Sequence, residues 1–180
     1  MNGTTNTETI YVILTGGTID SYEISKNKSS VAHYLSNIKL HITFVFNEIF
    51  HKSSDFITID DRKKIINEIQ NTKHKHVLIT HGTNTIIDTA NYIKKNLVNN
   101  DKVIILTGAF VPLYFSPISD AIFNLGFSIS KFKHSSPGVY ICMNGMTFDP
   151  ENVKKNYDKK IFEYVGSPER ETPPGREGPT

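Results

Sequence analysis

The chain has no tryptophan, one cysteine and three methionines among its 180 residues. With Cys142 alone, an internal disulfide is excluded, and the usage fits a reducing compartment. Metal ligation is not supported either: His74 and His76 merely alternate with lysines, and no cysteine partner exists. An excess of one charge is also missing, the formal net charge being +2. Lys63-Lys64, Lys94-Lys95, Lys154-Lys155 and Lys159-Lys160 read as solvated faces, mostly helical, and no aromatic-and-basic stripe accompanies them. A nucleic-acid partner is therefore not expected. No apolar run could span a membrane, and residues 1–9 lack the basic start and apolar stretch of a signal peptide. The expectation is a cytoplasmic protein with no membrane partner.

What is present is a recurrence of short apolar runs separated by helical patterns. Residues 10–14, 77–80, 103–106 and 139–142 are brief and apolar, as buried parallel strands are, and residues 40–46 are β-branched and aromatic. Between them, residues 29–38 suit a short helix. Thr58-Ile59-Asp60-Asp61 starts another with a capping-box pattern, and Ile65, Ile66 and Ile69 form its buried face. Ile86, Ala90, Ile93 and Leu97 share one helical stripe, and residues 119–129 read as a helix. This alternation predicts a single α/β domain with a mostly parallel, doubly wound, flavodoxin- or Rossmann-like sheet in three α/β/α layers. The domain is expected over residues 10–164, after a flexible stretch at 1–9. Residues 165–180, rich in proline, glycine, glutamate and arginine, are expected to be disordered because almost nothing there can be buried.

Two loops of small residues follow two of these strands. They are Thr15-Gly16-Gly17-Thr18-Ile19-Asp20 and His81-Gly82-Thr83-Asn84-Thr85. Ligands of open α/β sheets sit outside the carboxyl ends of the strands, where such loops lie. Glycines let backbone approach a ligand, and threonine hydroxyls can attack or hydrogen-bond. By itself the first loop fits a nucleophile turn, a plain strand-to-helix connection or, less well, a phosphate cradle. It lacks the third glycine of a dinucleotide fingerprint and the Gly-Lys-Ser/Thr of a P-loop. A threonine needs a neighbouring group to take its proton, and Tyr22 lies four residues beyond Thr18. In the second loop Thr83, Asn84 and Thr85 fit helix capping as well as ligand binding. Thr85-Ile86-Ile87-Asp88 again has the capping-box pattern, and His81 reads as a packing histidine.

Taken in order, these motifs resemble the bacterial-type L-asparaginase family. Thr15 to Ile19 and Ile79 to Thr85 are similar to its two signature motifs, and Ser53-Ser54-Asp55 to its substrate-binding loop. Leu106-Thr107-Gly108-Ala109, Asp120 to Leu125 and the stretch from Gly138 to Asn156 resemble its later blocks, as in the short single-domain members. The resemblance implies hydrolysis of the side-chain amide of asparagine or a related small amide, releasing ammonia, with no metal or organic cofactor required. Thr18 would be the nucleophile, assisted by Tyr22. Thr83, with Lys155, would orient water or serve as an alternative nucleophile. Gly17, Ser53, Ser54, Gly82, Asn84 and Ala109 would bind substrate, Ser53 through its α-carboxylate. A homo-oligomer, dimer or tetramer, is implied as well. The sequence departs from the family at Asn84, where an aspartate would grip the substrate's α-ammonium; asparagine brings no charge. It also shows no second domain to complete a neighbour's site, so a site closed differently, or open and slow, is expected. The rival expectation is a binding module that holds a small acidic metabolite without efficient turnover.

Overall fold

The computed structural model describes residues 8–21 and 29–166. Its centre is a six-stranded sheet of β1 (Glu8–Gly16), β2 (Ile42–Lys52), β3 (His76–Thr80), β4 (Val103–Thr107), β5 (Gly138–Met143) and β6 (Met146–Phe148). They lie in the order β2-β1-β3-β4-β5-β6, parallel except for β6. The helices are α1 (Ser30–Asn37), α2 (Ile59–Asn71), α3 (Ile86–Asn96) and α4 (Ala121–Lys131). Strand alternation sorts the core into two layers. Ile10, Val12 and Leu14 of β1 pack with Val31 and Leu35 of α1 and with Ala121, Leu125 and Ile129 of α4. Ile13 and Tyr11 turn to the other face, against Ile65 and Ile69 of α2 and Ile86 and Ile93 of α3. Each fully buried aliphatic side chain contributes about 1.5–3 kcal/mol. These layers therefore outweigh any single polar contact at the strand ends. The expected three-layer, doubly wound α/β domain is the fold.

Several boundaries move. β1 begins at Glu8, so residues 8 and 9, expected in a flexible stretch, already pair with Ile42 and Thr43. The run at residues 40–46 becomes the front half of an eleven-residue strand. A hairpin was not foreseen at all: β7 (Val153–Asn156) and β8 (Ile161–Tyr164) pair antiparallel outside the main sheet. Both are four residues long, too short for alternation to announce them. The hairpin is tied to the body at its base, where Lys94 of α3 bonds Asp149 at 2.7 Å and Glu151 at 2.6 Å, and Asn91 donates to the Pro150 carbonyl. Higher up, the buried Asn124 of α4 accepts from the Asn144 N–H, and Asn144 Oδ1 accepts from the Phe162 N–H at 2.9 Å. Phe162 is the register partner of Lys155. At the other end, residues 165 and 166, expected in the disordered tail, form a turn in which the Val165 N–H donates to the Asn152 carbonyl at 3.0 Å; the rest of the two expected stretches, 1–7 and 167–180, lies outside the described residues.

The two capping-box patterns part company. At Thr58 both halves form: Thr58 Oγ1 accepts from the Asp61 N–H, and Asp61 accepts from the Thr58 N–H. At Thr85 no side-chain cap forms, because Thr85 Oγ1 donates instead to the Ser54 carbonyl at 2.8 Å. That hydroxyl locks the loop after β2 to the start of α3.

Asp61 holds the corner beneath that loop, accepting from Lys52 Nζ at 2.7 Å and from both the N–H and the hydroxyl of Thr58 at 3.0 Å. Burial would raise its pKa, but the Lys52 and Thr58 donors outweigh burial and hold it at about 2. A carboxylate depressed in this way stabilises the fold above its unfolded pKa and loses that contribution as pH falls through the folded value. Asp61→Asn should therefore destabilise the protein by about 1–2 kcal/mol near pH 7. The gap to the unmutated protein should close between about pH 4 and about pH 2. Denaturant titrations at several pH values check this; a gap that persists undiminished at the acid end would contradict it.

Candidate active site

With β1 central and its neighbours β2 and β3 on opposite sides, the chain leaves β1 toward α1 and leaves β3 toward α3, on opposite faces of the sheet. This divergence opens a crevice at the carboxyl ends, the switch point at which open α/β sheets bind ligands. A cavity of about 230 Å³ lies there. Gly17, Thr18 and Ser21 line it from the loop after β1, and Gly82, Thr83 and Asn84 from the loop after β3. The end of β2 adds His51 and Lys52, with Ser53 and Ser54 following. Seven of the residues expected at the site thus meet around one space.

Glycine is required where these loops touch. A β-carbon on Gly17, whose φ is +78°, would lie 2.4 Å from the Gly82 nitrogen, and one on Gly82 would lie 2.6 Å from Ser54 Oγ. Gly17 N–H also donates to the Lys52 carbonyl at 2.9 Å, joining the first loop to the end of β2. Thr18 opens a short 3-10 turn, Thr18–Asp20, and remains partly exposed to the cavity. The turn is anchored by Asp20, which is fully buried and accepts from the Val31 N–H and the Ser29 hydroxyl at the start of α1. Burial raises the Asp20 pKa against the lowering effect of those bonds. Thr15 takes a structural part, donating from within the core to the Thr80 carbonyl at 2.7 Å.

Lys155 reaches the same site from the hairpin. Its Nζ donates to Thr83 Oγ1 at 3.0 Å and to Asn84 Oδ1 at 2.6 Å. The ammonium lies over the rings of Phe110, at 5.3 Å, and Tyr157, at 4.6 Å. Desolvation lowers its pKa, and the Asp55 charge works the other way. Asn84 continues the chain of contacts: its Nδ2 donates to both oxygens of Asp55, at 3.0 and 3.1 Å. Ser53 Oγ also donates to Asp55, at 3.3 Å. Lys155, Asn84 and Asp55 therefore form a line in which a neutral amide separates a cation from an anion.

Other expected residues fall elsewhere. Ala109 is fully buried in the layer under α1 and α4 and does not line the cavity. The loop that carries it is pinned by Asp120, which accepts from the N–H groups of Phe110 and Val111. Tyr22 lies outside the described residues. His81 is the packing histidine the sequence suggests. Fully buried, it has an Nδ1–H that donates to the Gly82 carbonyl at 2.8 Å, and burial brings its pKa down to about 4, so the ring is neutral. Sequence reasoning missed Ser21, His51 and Lys52 as cavity residues and the rings of Phe110 and Tyr157 around Lys155. No periodicity marks these positions; they become neighbours only when the strand order is known. Among the described residues no cluster of histidine, cysteine or carboxylate side chains could hold a metal, and no helix is long and apolar enough to cross a membrane.

Three solved structures share this fold closely. The thermostable L-asparaginase from Thermococcus kodakarensis superposes with a TM-score of 0.77 at 22% identity, over 89% of this chain and 52% of that one. For L-asparaginase I from Vibrio cholerae the values are 0.78, 23%, 89% and 52%. For the probable cytoplasmic L-asparaginase from Campylobacter jejuni they are 0.73, 22%, 87% and 51%. The chain thus spans about half the length of the asparaginases it resembles in structure. No curated protein matches it by sequence. A family model described as "Asparaginase, N-terminal" matches residues 9–170, nearly the whole chain. The protein belongs to the asparaginase family, of which it carries the N-terminal domain.

Proposed function

We propose that this domain is an asparaginase-type amidohydrolase that cleaves a small side-chain amide with Thr18 as nucleophile. The observation that carries the reading is one cavity lined by both Thr18 and Thr83, with the Lys155 amine 3.0 Å from the Thr83 hydroxyl. Family membership and the asparaginase fold support the reaction class. Thr18 Oγ adds to the amide carbon as its proton passes to a base; the C–N bond breaks and ammonia leaves with a proton. The acyl ester on Thr18 is then attacked by water, the C–O bond breaks, and Thr18 regains its proton as the acid departs. N–H groups of the glycine loops suit the transient oxyanion, a term of several kcal/mol in related chemistry. Lys155, in its neutral form, takes a proton from Thr83 or from the water that Thr83 orients. Tyr22 is proposed to assist Thr18, and Ser53, Ser54, Gly17 and Gly82 to hold the substrate. The working unit is taken to begin with β1 at Glu8 and to run through β8, and we expect it to act in the cytoplasm as a homo-oligomer.

Thr18→Ala should lower ammonia release by at least about a thousandfold. Its melting temperature should stay nearly unchanged, since a loop hydroxyl contributes within about 0.5 kcal/mol to stability. A folded Thr18→Ala protein that retains most activity would move the nucleophile to Thr83. If no amide is hydrolysed by the unmutated protein while small acids bind, the binding-module reading replaces this one.

A base is active only when deprotonated. The rate should therefore climb with pH through the Lys155 pKa, which desolvation places below the usual lysine value. Lys155→Met should remove that rise as well as most of the rate. A pH–rate profile of the same shape in both proteins would show Lys155 to be uninvolved in proton transfer.

A further inference from the structure

Resting on the functional reading above, we infer that the cavity selects an anionic amide with no free ammonium group. Succinamate, which is asparagine without its α-amino group, is then the better substrate. The charge of the walls sets this preference. None of the described residues that line the cavity is a carboxylate, and the one lysine among them, Lys52, is paired with Asp61.

Two carboxylates, Asp61 and Asp55, bond side chains of the wall without lining the cavity themselves. Asp61 is 3% exposed and occupied by Lys52 and Thr58. Asp55 does not line the cavity, and both its oxygens accept from Asn84 Nδ2, one of them also from Ser53 Oγ. Asn84 is committed on both sides. Its NH2 faces Asp55, and its oxygen is already bonded to the Lys155 ammonium at 2.6 Å.

A substrate ammonium that sought Asn84 Oδ1 would therefore stand beside the Lys155 charge. Elsewhere in the described wall it would shed water without gaining an anion in return, which disfavours a cation strongly. A carboxylate meets the opposite situation, with hydroxyls at Thr18 and Ser21 in the wall and the Lys155 ammonium beside Thr83 and Asn84. The neutral residue at position 84 is then the specificity determinant. It holds Lys155 in place while withholding the charge that would attract an α-ammonium.

The test is calorimetric titration of the full chain with succinate and with L-aspartate, which differ only by the α-ammonium. Succinate should bind at least about tenfold more tightly, the size expected when one polar group is left unpaired. In Asn84→Asp the ratio should swing toward L-aspartate. L-aspartate binding as tightly as succinate or more tightly, or neither acid binding at millimolar concentration, would overturn the inference. A ratio unmoved by Asn84→Asp would remove residue 84 as its cause. Because binding is read without turnover, loss of the Thr18 nucleophile reading would leave this result untouched. Conversely, faster ammonia release from asparagine than from succinamate would sink the inference while leaving the amidohydrolase reading standing.

Discussion

Gly17 and Gly82 bring the backbones of two loops to a distance at which no side chain could stand between them. The rest of the site depends on that approach. The loops belong to β1 and β3, adjacent parallel strands whose chains depart to opposite faces, so the crevice between them exists only while they meet at its floor. A third loop closes the corner through the Gly17 N–H bond to the Lys52 carbonyl and the Thr85 hydroxyl bond to the Ser54 carbonyl. Thr18, Thr83 and Ser53 are then held around one small volume by backbone geometry rather than by side-chain packing. Preorganisation of this kind places the donors before substrate arrives, which is where much of a catalytic advantage comes from.

The hairpin contributes what the crevice cannot supply by itself. A parallel sheet ends in loops, and among the described residues the loops that line the cavity beside Thr83 bear hydroxyls and amides. β7 carries Lys155 to Thr83, and its position is over-determined: Lys94 and Asn91 hold the base of the hairpin, and Asn144 holds the register partner of Lys155. The aromatic surroundings of Phe110 and Tyr157 strip water from the ammonium while still favouring its charge through their ring faces. Desolvation is the larger of the effects on its pKa, so the amine is easier to deprotonate than an exposed lysine.

Much of this was legible in the amino-acid sequence, for reasons that differ by element. The apolar runs of β1, β3, β4 and β5 are buried on both faces, so their composition alone marks them. The Thr58 capping box is local, and the residues that complete it are three apart. The Thr85 pattern has the same spacing and fails because a non-local acceptor, the Ser54 carbonyl, competes for the hydroxyl. Ala109 was expected at the substrate through family resemblance; its burial in the layer under α1 and α4 depends on where β4 sits in the sheet. The hairpin was invisible because two four-residue strands carry too little pattern. Lys155 was identified only through family resemblance, and its bonds to Thr83 and Asn84 emerge from the hairpin's placement. The line from Lys155 through Asn84 to Asp55 spans three separate segments, and no spacing rule could have joined them.

The central claim is that carbon–nitrogen cleavage passes through an ester on Thr18. Acid quenching during steady turnover of a small amide, followed by proteolysis and mass spectrometry, tests it directly. The account predicts an added acyl mass on the peptide containing Thr18, absent without substrate and lost on further incubation in water. The same mass on the peptide containing Thr83, or ammonia released at an undiminished rate with no acylated peptide under conditions that preserve a threonine ester, would contradict it.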